Sequence, residues 1–376
     1  MKRRQFLKKY SLVMCVAVLC VTELCVGQIP SQSSKPETSD TAKSRAETNT
    51  SSTVQQSSPT NSQISDPISV TEDWSTPSLQ GSELTPAEPL IGEKDEDDPE
   101  FTRELIQVQW RPADPIDLYV IKPVGVRNPP VILYLYSYPF ETDRFGNDGF
   151  CKFLTKNGFA AVGFASALTG GRYHSRPMKQ WFVSELQESL STSAHDVQMI
   201  LNYLAKRGDL DMNRVGMFGD GSGAAIAILA AAVDPRIKTL DLLDPWGDWP
   251  TWMAKSTRIP EKEQLNFLMP EFLAKVAPLD PVKWLPELKT PKIRIQNVMT
   301  VTVTPNESKQ RIEAAAPTQA QVIRYENGRA LLNATADGKG FDWIKEQTEH
   351  SAAPFFSVVH QQPFDSSSTD TREHSR

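Results

Sequence analysis

The stretch that most restricts the fold lies between residues 214 and 232. A short apolar run (VGMF) passes through Gly219, Asp220, Gly221, Ser222 and Gly223 directly into an alanine-rich helical pattern. A strand that turns through small residues straight into a helix is half of a βαβ unit. The flanking sequence repeats the alternation. Residues 131–136 (VILYLY), 160–164 (AAVGF), 239–243 (TLDLL), 292–298 (KIRIQNV) and 321–325 (QVIRY) are strand candidates, several of them apolar almost throughout, as buried parallel strands are. Helical stretches are expected at 149–156, 194–206, 224–232, 307–315 and 341–347. The pattern predicts an α/β fold, a mostly parallel sheet with helices on both faces. Two earlier strands, near 105–110 and 117–122, are expected at an antiparallel edge.

Charge divides the chain of 376 residues unevenly. Residues 1–30 hold 5 basic and 1 acidic side chains and residues 31–100 hold 4 and 14; from the totals of 40 and 46, the remaining 276 residues carry 31 of each. A neutral body without a Lys/Arg stripe excludes a nucleic-acid binder. Residues 2–10 (KRRQFLKKY) precede an apolar run ending near Gly27, which reads as a signal peptide over 1–27. Within it Arg3, Arg4, Phe6, Leu7 and Lys8 resemble a twin-arginine export signal. The reading implies a periplasmic or secreted protein, held at a membrane only if the N-terminal segment stays uncleaved. Residues 28–100, rich in Ser, Thr, Pro and acids, are expected to be a disordered acidic linker whose end, 93–100 (EKDEDDPE), is self-repelling. Residues 101–350 form the domain and 351–376 a mostly disordered tail. Three of the four cysteines lie in the signal, leaving Cys151, so no internal disulfide and no metal site is expected, nor any cofactor.

The segment 214–225 resembles the nucleophile elbow of the α/β-hydrolase superfamily. The connection from Arg207 to Arg214 and the run 285–291 (LPELKTP) are similar to the exported esterase, dienelactone-hydrolase and prolyl-oligopeptidase branches, and the resemblance covers about 105–347. It implies an α/β-hydrolase-like sheet with a short Trp/Pro-rich lid after the strand at 239–243, and a cleft at the carboxyl ends of the strands.

The resemblance also implies where catalytic groups belong, and several of those positions are substituted. Gly219 and Gly223 match the small flanks of G-x-S-x-G, yet the nucleophile's place is Gly221; Asp220 stands one residue early and Ser222 one late. The acid's loop, 299–305 (MTVTVTP), holds no carboxylate, so Asp244, after the preceding strand, is the candidate. The base's place after Tyr325 holds no histidine. His174 is the candidate from a loop after a strand, and His195 is expected as a partly exposed residue at a helix start. The oxyanion loop, Tyr136, Ser137 and Tyr138, lacks its usual glycine. Trp246 and Trp249, with Trp252, either stack on a ligand at the cleft or pin the lid to the sheet.

Two readings follow. In the first, an exported α/β-hydrolase-fold protein without a standard Ser-His-Asp triad binds an unidentified small molecule or peptide in its cleft, or a partner. In the second, an exported serine-type esterase or peptidase uses Ser222, Asp244 and His174 in a non-standard arrangement.

Overall fold

Strand β4 (Pro130–Leu135) shows why the sheet is covered on both sides. Its alternate residues Val131, Leu133 and Leu135 join one hydrophobic cluster while Ile132 and Tyr134 join another, so every side chain of the strand is buried. The structure is a computed structural model describing residues 71–85, 89–112, 114–168 and 185–351. Its sheet has nine strands in the order β1-β2-β3-β5-β4-β6-β7-β8-β9. These are β1 (Leu90–Asp95), β2 (Phe101–Val108), β3 (Ile116–Pro123), β4, β5 (Ala160–Phe164), β6 (Asp211–Asp220), β7 (Ile237–Leu243), β8 (Lys292–Val298) and β9 (Ala320–Tyr325). Pairings from β5 through β9 are parallel; β1, β2, β3 and β5 pair antiparallel.

The helices follow from local chemistry. In α1 (Asp148–Thr155) the side chain of Asn147 accepts a hydrogen bond from the Phe150 N–H and caps the first turn. The long α2 (Leu186–Arg207) starts eight residues before the expected 194 and ends at Gly208, whose φ of 73° is the left-handed stop that glycine supplies. Helix α3 (Ser222–Val233) is apolar all round, and Ser222 through Ala231 are buried, because it lies between the sheet and α2. Helices α2 and α3 pack on one face; α1 and the last helix, α10 (Asp342–Glu349), line the other with Phe150, Leu154 and Ile344. Between β7 and β8 run α4 (Trp249–Lys255), α5 (Glu261–Phe267), α6 (Pro270–Val276) and α7 (Pro281–Trp284). Helix α8 (Asn306–Ala315) precedes β9, and α9 (Gly328–Ala334), not foreseen in the sequence, follows it.

The ordered body begins earlier than the boundary expected at residue 101. β1 extends the antiparallel edge, and part of the charge of the supposed self-repelling run is paired: Asp95 meets Arg103 at 2.7 Å, and Lys152 meets Asp98 at 3.0 Å and Glu100 at 3.1 Å. Residues 71–85 form a strap across α2. The Glu72 carboxylate accepts two hydrogen bonds from Arg111, at 2.7 and 2.6 Å, and its Oε1 lies 2.5 Å from His195 Nδ1. Ser191 Oγ donates to the Thr76 carbonyl at 2.8 Å, and Gln198 both donates to Pro77 O and accepts from Leu79 N. Leu79 and Leu84 pack on the core. His195 is therefore fully buried in the middle of α2, not partly exposed at a helix start. Over residues 71–85 the sequence reads as linker because polar composition alone cannot reveal a helix that presents a buried polar stripe to receive the segment. No helix among the described residues is long and apolar enough to cross a membrane; residues 1–70 and 352–376, which include the expected signal and tail, lie outside the described residues.

Helix α3 is the keystone of this packing. Replacing Ile226, fully buried on it, by Ala is expected to cost about 2–5 kcal/mol. A urea titration of the variant beside the parent checks this.

Candidate functional site

The carboxyl ends of β4, β6, β7 and β8 bring four loops together, and the turn after β6 has the conformation the resemblance implies. Gly221 has φ 54° and ψ −112°, a conformation in the left-handed half of the map that L-residues rarely adopt. A Cβ on Gly219 would lie 2.5 Å from Ala224 Cα, and one on Gly223 would lie 2.2 Å from the Leu135 carbonyl oxygen. Both flanks must be glycine for the turn to form, as in the elbow. The central position presents no side chain, and its place is filled. A Cβ there would stand 2.5 Å from Ser137 Oγ and 3.1 Å from Trp246 Nε1.

Ser222 lies one residue past the turn, as the first residue of α3, and is fully buried. Its Oγ accepts a hydrogen bond from the Tyr138 N–H at 2.8 Å. That amide belongs to the loop after β4, which in the elbow arrangement supplies a donor to the developing oxyanion. The Tyr138 amide proton is therefore taken up by the Ser222 hydroxyl. Ser137 is almost wholly buried, and its Oγ makes no hydrogen bond among the described residues.

Asp244, after β7, is buried with φ 42°. Its Oδ1 accepts from the Val298 N–H at 2.9 Å and lies 3.4 Å from Lys309 Nζ. Lys309, on α8, is completely buried, and its ammonium also donates to the carbonyls of Val298 and Val301 (2.7 Å for the latter). A buried ammonium is tolerable only when it is paired, and here the two carbonyls accept its protons while the Asp244 carboxylate balances its charge. Asp244 and Lys309 thus knit the loop after β8, which the resemblance makes the acid's loop, to the end of β7. Nothing in the pattern of α8 distinguishes Lys309 from a solvated lysine, which is why the sequence hides it.

Asp220 ends β6, nearly buried. Burial pushes the Tyr136 phenol above its ordinary range; the Arg144 guanidinium, 4.6 Å above the ring, opposes this and the Asp220 charge adds to it. Arg258 stands 5.2 Å from the Tyr138 ring and donates to the Tyr138 carbonyl at 2.5 Å. Neither arginine was singled out from the sequence, since cation–π partners carry no local signature. Trp246, Trp249 and Trp252 are all buried; the first and last lie 4.8 Å apart, Trp249 meets Trp252 edge-on at 5.9 Å, and Trp249 Nε1 donates to Leu279 O. They pin the segment after β7 to the body and offer no ring face for stacking a ligand. Asp280 fixes that segment from below, accepting from the N–H groups of Asp248 and Trp249 at 2.9 Å each. His174 lies outside the described residues. Among the described residues no group of three His, Cys, Asp or Glu side chains could hold a metal ion.

Sheet, elbow and loop arrangement together are those of an α/β-hydrolase fold. Solved structures similar to the chain include an acetyl xylan esterase from Paenibacillus sp. R4, with 15% identity, 64% of this chain and 83% of that chain covered, and a TM-score of 0.49. Acetyl xylan esterase 1 from Thermoanaerobacterium sp. JW/SL YS485 has 13% identity, coverage of 64% and 81%, and a TM-score of 0.48. A cold-adapted esterase from an Arctic intertidal metagenomic library has 14% identity, coverage of 68% and 98%, and a TM-score of 0.47. No known family profile matches the chain, and no curated protein does. The likeness concerns the fold.

Two substitutions probe this geometry. Gly221→Ser is expected to destabilise the domain by about 1–3 kcal/mol by overpacking against Ser137 and Trp246, and to confer no esterase activity; adding Ser137→Gly should recover part of the loss. Lys309→Met, which takes the ammonium away from Asp244 and from two buried carbonyls, is expected to cost about 3–5 kcal/mol. Chemical denaturation of both variants, with p-nitrophenyl acetate turnover for the first, reads these effects.

Proposed function

We propose that the protein is an exported α/β-hydrolase-fold protein without a working Ser-His-Asp triad, acting by binding a small molecule or peptide at the cleft rather than by hydrolysis. The observation that carries this reading is the side-chain-free elbow. Gly221 holds the nucleophile's backbone conformation while Ser137 fills the space its side chain would need. The neighbouring serine supports it from the other side. The Ser222 hydroxyl is buried and accepts from the Tyr138 amide, so it is not exposed, and among the described residues its hydrogen-bond partner is a backbone amide and not a base. Fold alone does not carry activity, and without a nucleophile aligned to a base the strained turn has nothing to present. Tyr138, Arg144 and Arg258, each half-buried, give the rim an aromatic and cationic character that suits recognition of a polar or anionic ligand. Export rests on the basic and apolar pattern of residues 1–27.

The full-length protein, treated with a fluorophosphonate probe beside its Ser222→Ala and Ser137→Ala variants and a heat-denatured control, is expected to show no labelling above that control. Labelling abolished by either substitution would overturn the reading and identify the activated serine. For export, the expected result is a mature N-terminus just after Gly27 in the periplasmic or secreted fraction; an intact N-terminus in cytoplasm would refute it.

A further inference from the structure

Helix α10 delivers the chain to the amino ends of the central strands, away from the cleft. Glu349 Oε1 accepts from Arg214 Nη1 at 2.7 Å, and Arg214 Nε donates to Asp211 at 2.7 Å, at the start of β6. One turn earlier the Lys345 ammonium donates to the carbonyls of Phe153 and Lys156, at 3.1 and 2.9 Å, where α1 ends. Ser351 folds back on the Thr348 carbonyl, its N–H at 3.2 Å and its Oγ at 2.7 Å. The point at which the tail leaves the body is thereby fixed.

At the same end, the loop joining β3 to β4 holds two aliphatic side chains in water, Val124 at 49% and Val126 at 42% exposure. β3 runs antiparallel to β5, which places this loop beside the starts of β4, β5 and β6. The valines border an open pocket of about 330 Å³ that Thr102, Lys122, Pro123 and Asp209 also line. Both contacts of α10 lead to it. Asp211, next but one to Asp209, donates its N–H to the Pro129 carbonyl at 3.0 Å, and Pro129 follows the loop directly. Gly158, next but one to Lys156, lies against Val126, since a Cβ there would stand 3.7 Å from Val126 Cγ2. From Ser351 to the pocket is a matter of single side chains and steps of two residues.

We propose that residues 354–359 of this same chain dock there, seating a ring of the pair Phe355 and Phe356 on Val124 and Val126. Past Ser351 the sequence reads AAPFFSVV, with four large apolar side chains in five residues and no charge. Such a run gains free energy from any apolar surface it covers. An extended chain advances roughly 3.3–3.6 Å per residue, so from Ser351 it carries Phe355 about 14 Å and Val359 about 28 Å, enough for the short path to the loop. The pocket suits this occupant in size, for its volume takes one or two side chains and not the face of a folded partner. It suits it in charge as well, because Lys122 and Asp209 at its rim already pair with each other at 2.6 Å.

Photocrosslinking of the full-length protein, with p-benzoylphenylalanine in place of Phe356, tests the docking. The expected principal product joins position 356 to the peptide spanning residues 122–128. Mixing nitrogen-15-labelled with unlabelled chains separates crosslinks within one chain from those between copies, and the former are expected to dominate. Val126→Asp lies on an exposed loop and should fold. It is expected to cut the crosslink at least about fivefold, since a carboxylate under the ring must be desolvated. Leu265→Asp, at an exposed apolar residue of α5, is expected to leave the yield unchanged. Crosslinks scattered over the surface, a principal product on another element, products mainly between copies, or equal losses in the two variants would each overturn the proposal.

Discussion

Backbone meets backbone at the turn between β6 and α3, and the body of the domain is arranged around that contact. Gly223 lies so close to the Leu135 carbonyl, and Gly219 so close to the first turn of α3, that any side chain would drive the helix off the sheet. With the glycines in place, α3 seats its alanines against β6 and β7, and α2 closes over it. Catalytic domains of this architecture use the same closeness to hold a reactive side chain in a strained conformation. Here the closeness persists without the side chain. The turn serves as a structural joint, and the space above it is taken by Ser137 and Trp246.

The substitutions around the joint form one consistent set. The Ser222 hydroxyl occupies the amide of Tyr138; Asp244 and Lys309 fasten the loop after β8 to the end of β7; the tryptophans that follow are core. The Tyr138 amide, the Lys309 ammonium and the Trp249 indole each find a structural neighbour, and buried polar groups paired in this way stabilise a closed arrangement.

Much of the scaffold is legible in the sequence because its signals are local. The apolar runs of β4, β5 and β8 needed little or no adjustment of their bounds, and the alternating glycines of the elbow locate the turn to the residue. What escapes is whatever depends on distant partners. Lys309 looks solvated until the carbonyls of Val298 and Val301 are brought beside it. The first part of α2 reads poorly because its buried residues are mostly polar: Ser189, Ser191, Thr192 and Ser193 are buried there, and Ser191 receives the strap. For the same reason residues 71–85 and β1 pass for linker. Their order comes from charge pairing with Arg111 and Arg103, which lie far along the chain.

The strap also determines how the domain bears mechanical load. Tension applied to the chain ahead of residue 71 reaches the body through Glu72 and the guanidinium of Arg111, and passes from there into α2. β1 lies behind this junction, at the open edge of the sheet, paired along one side only. While the junction holds, a pull is taken as shear across two salt-linked side chains and a long helix, and the edge strand is shielded from being unzipped one hydrogen bond at a time.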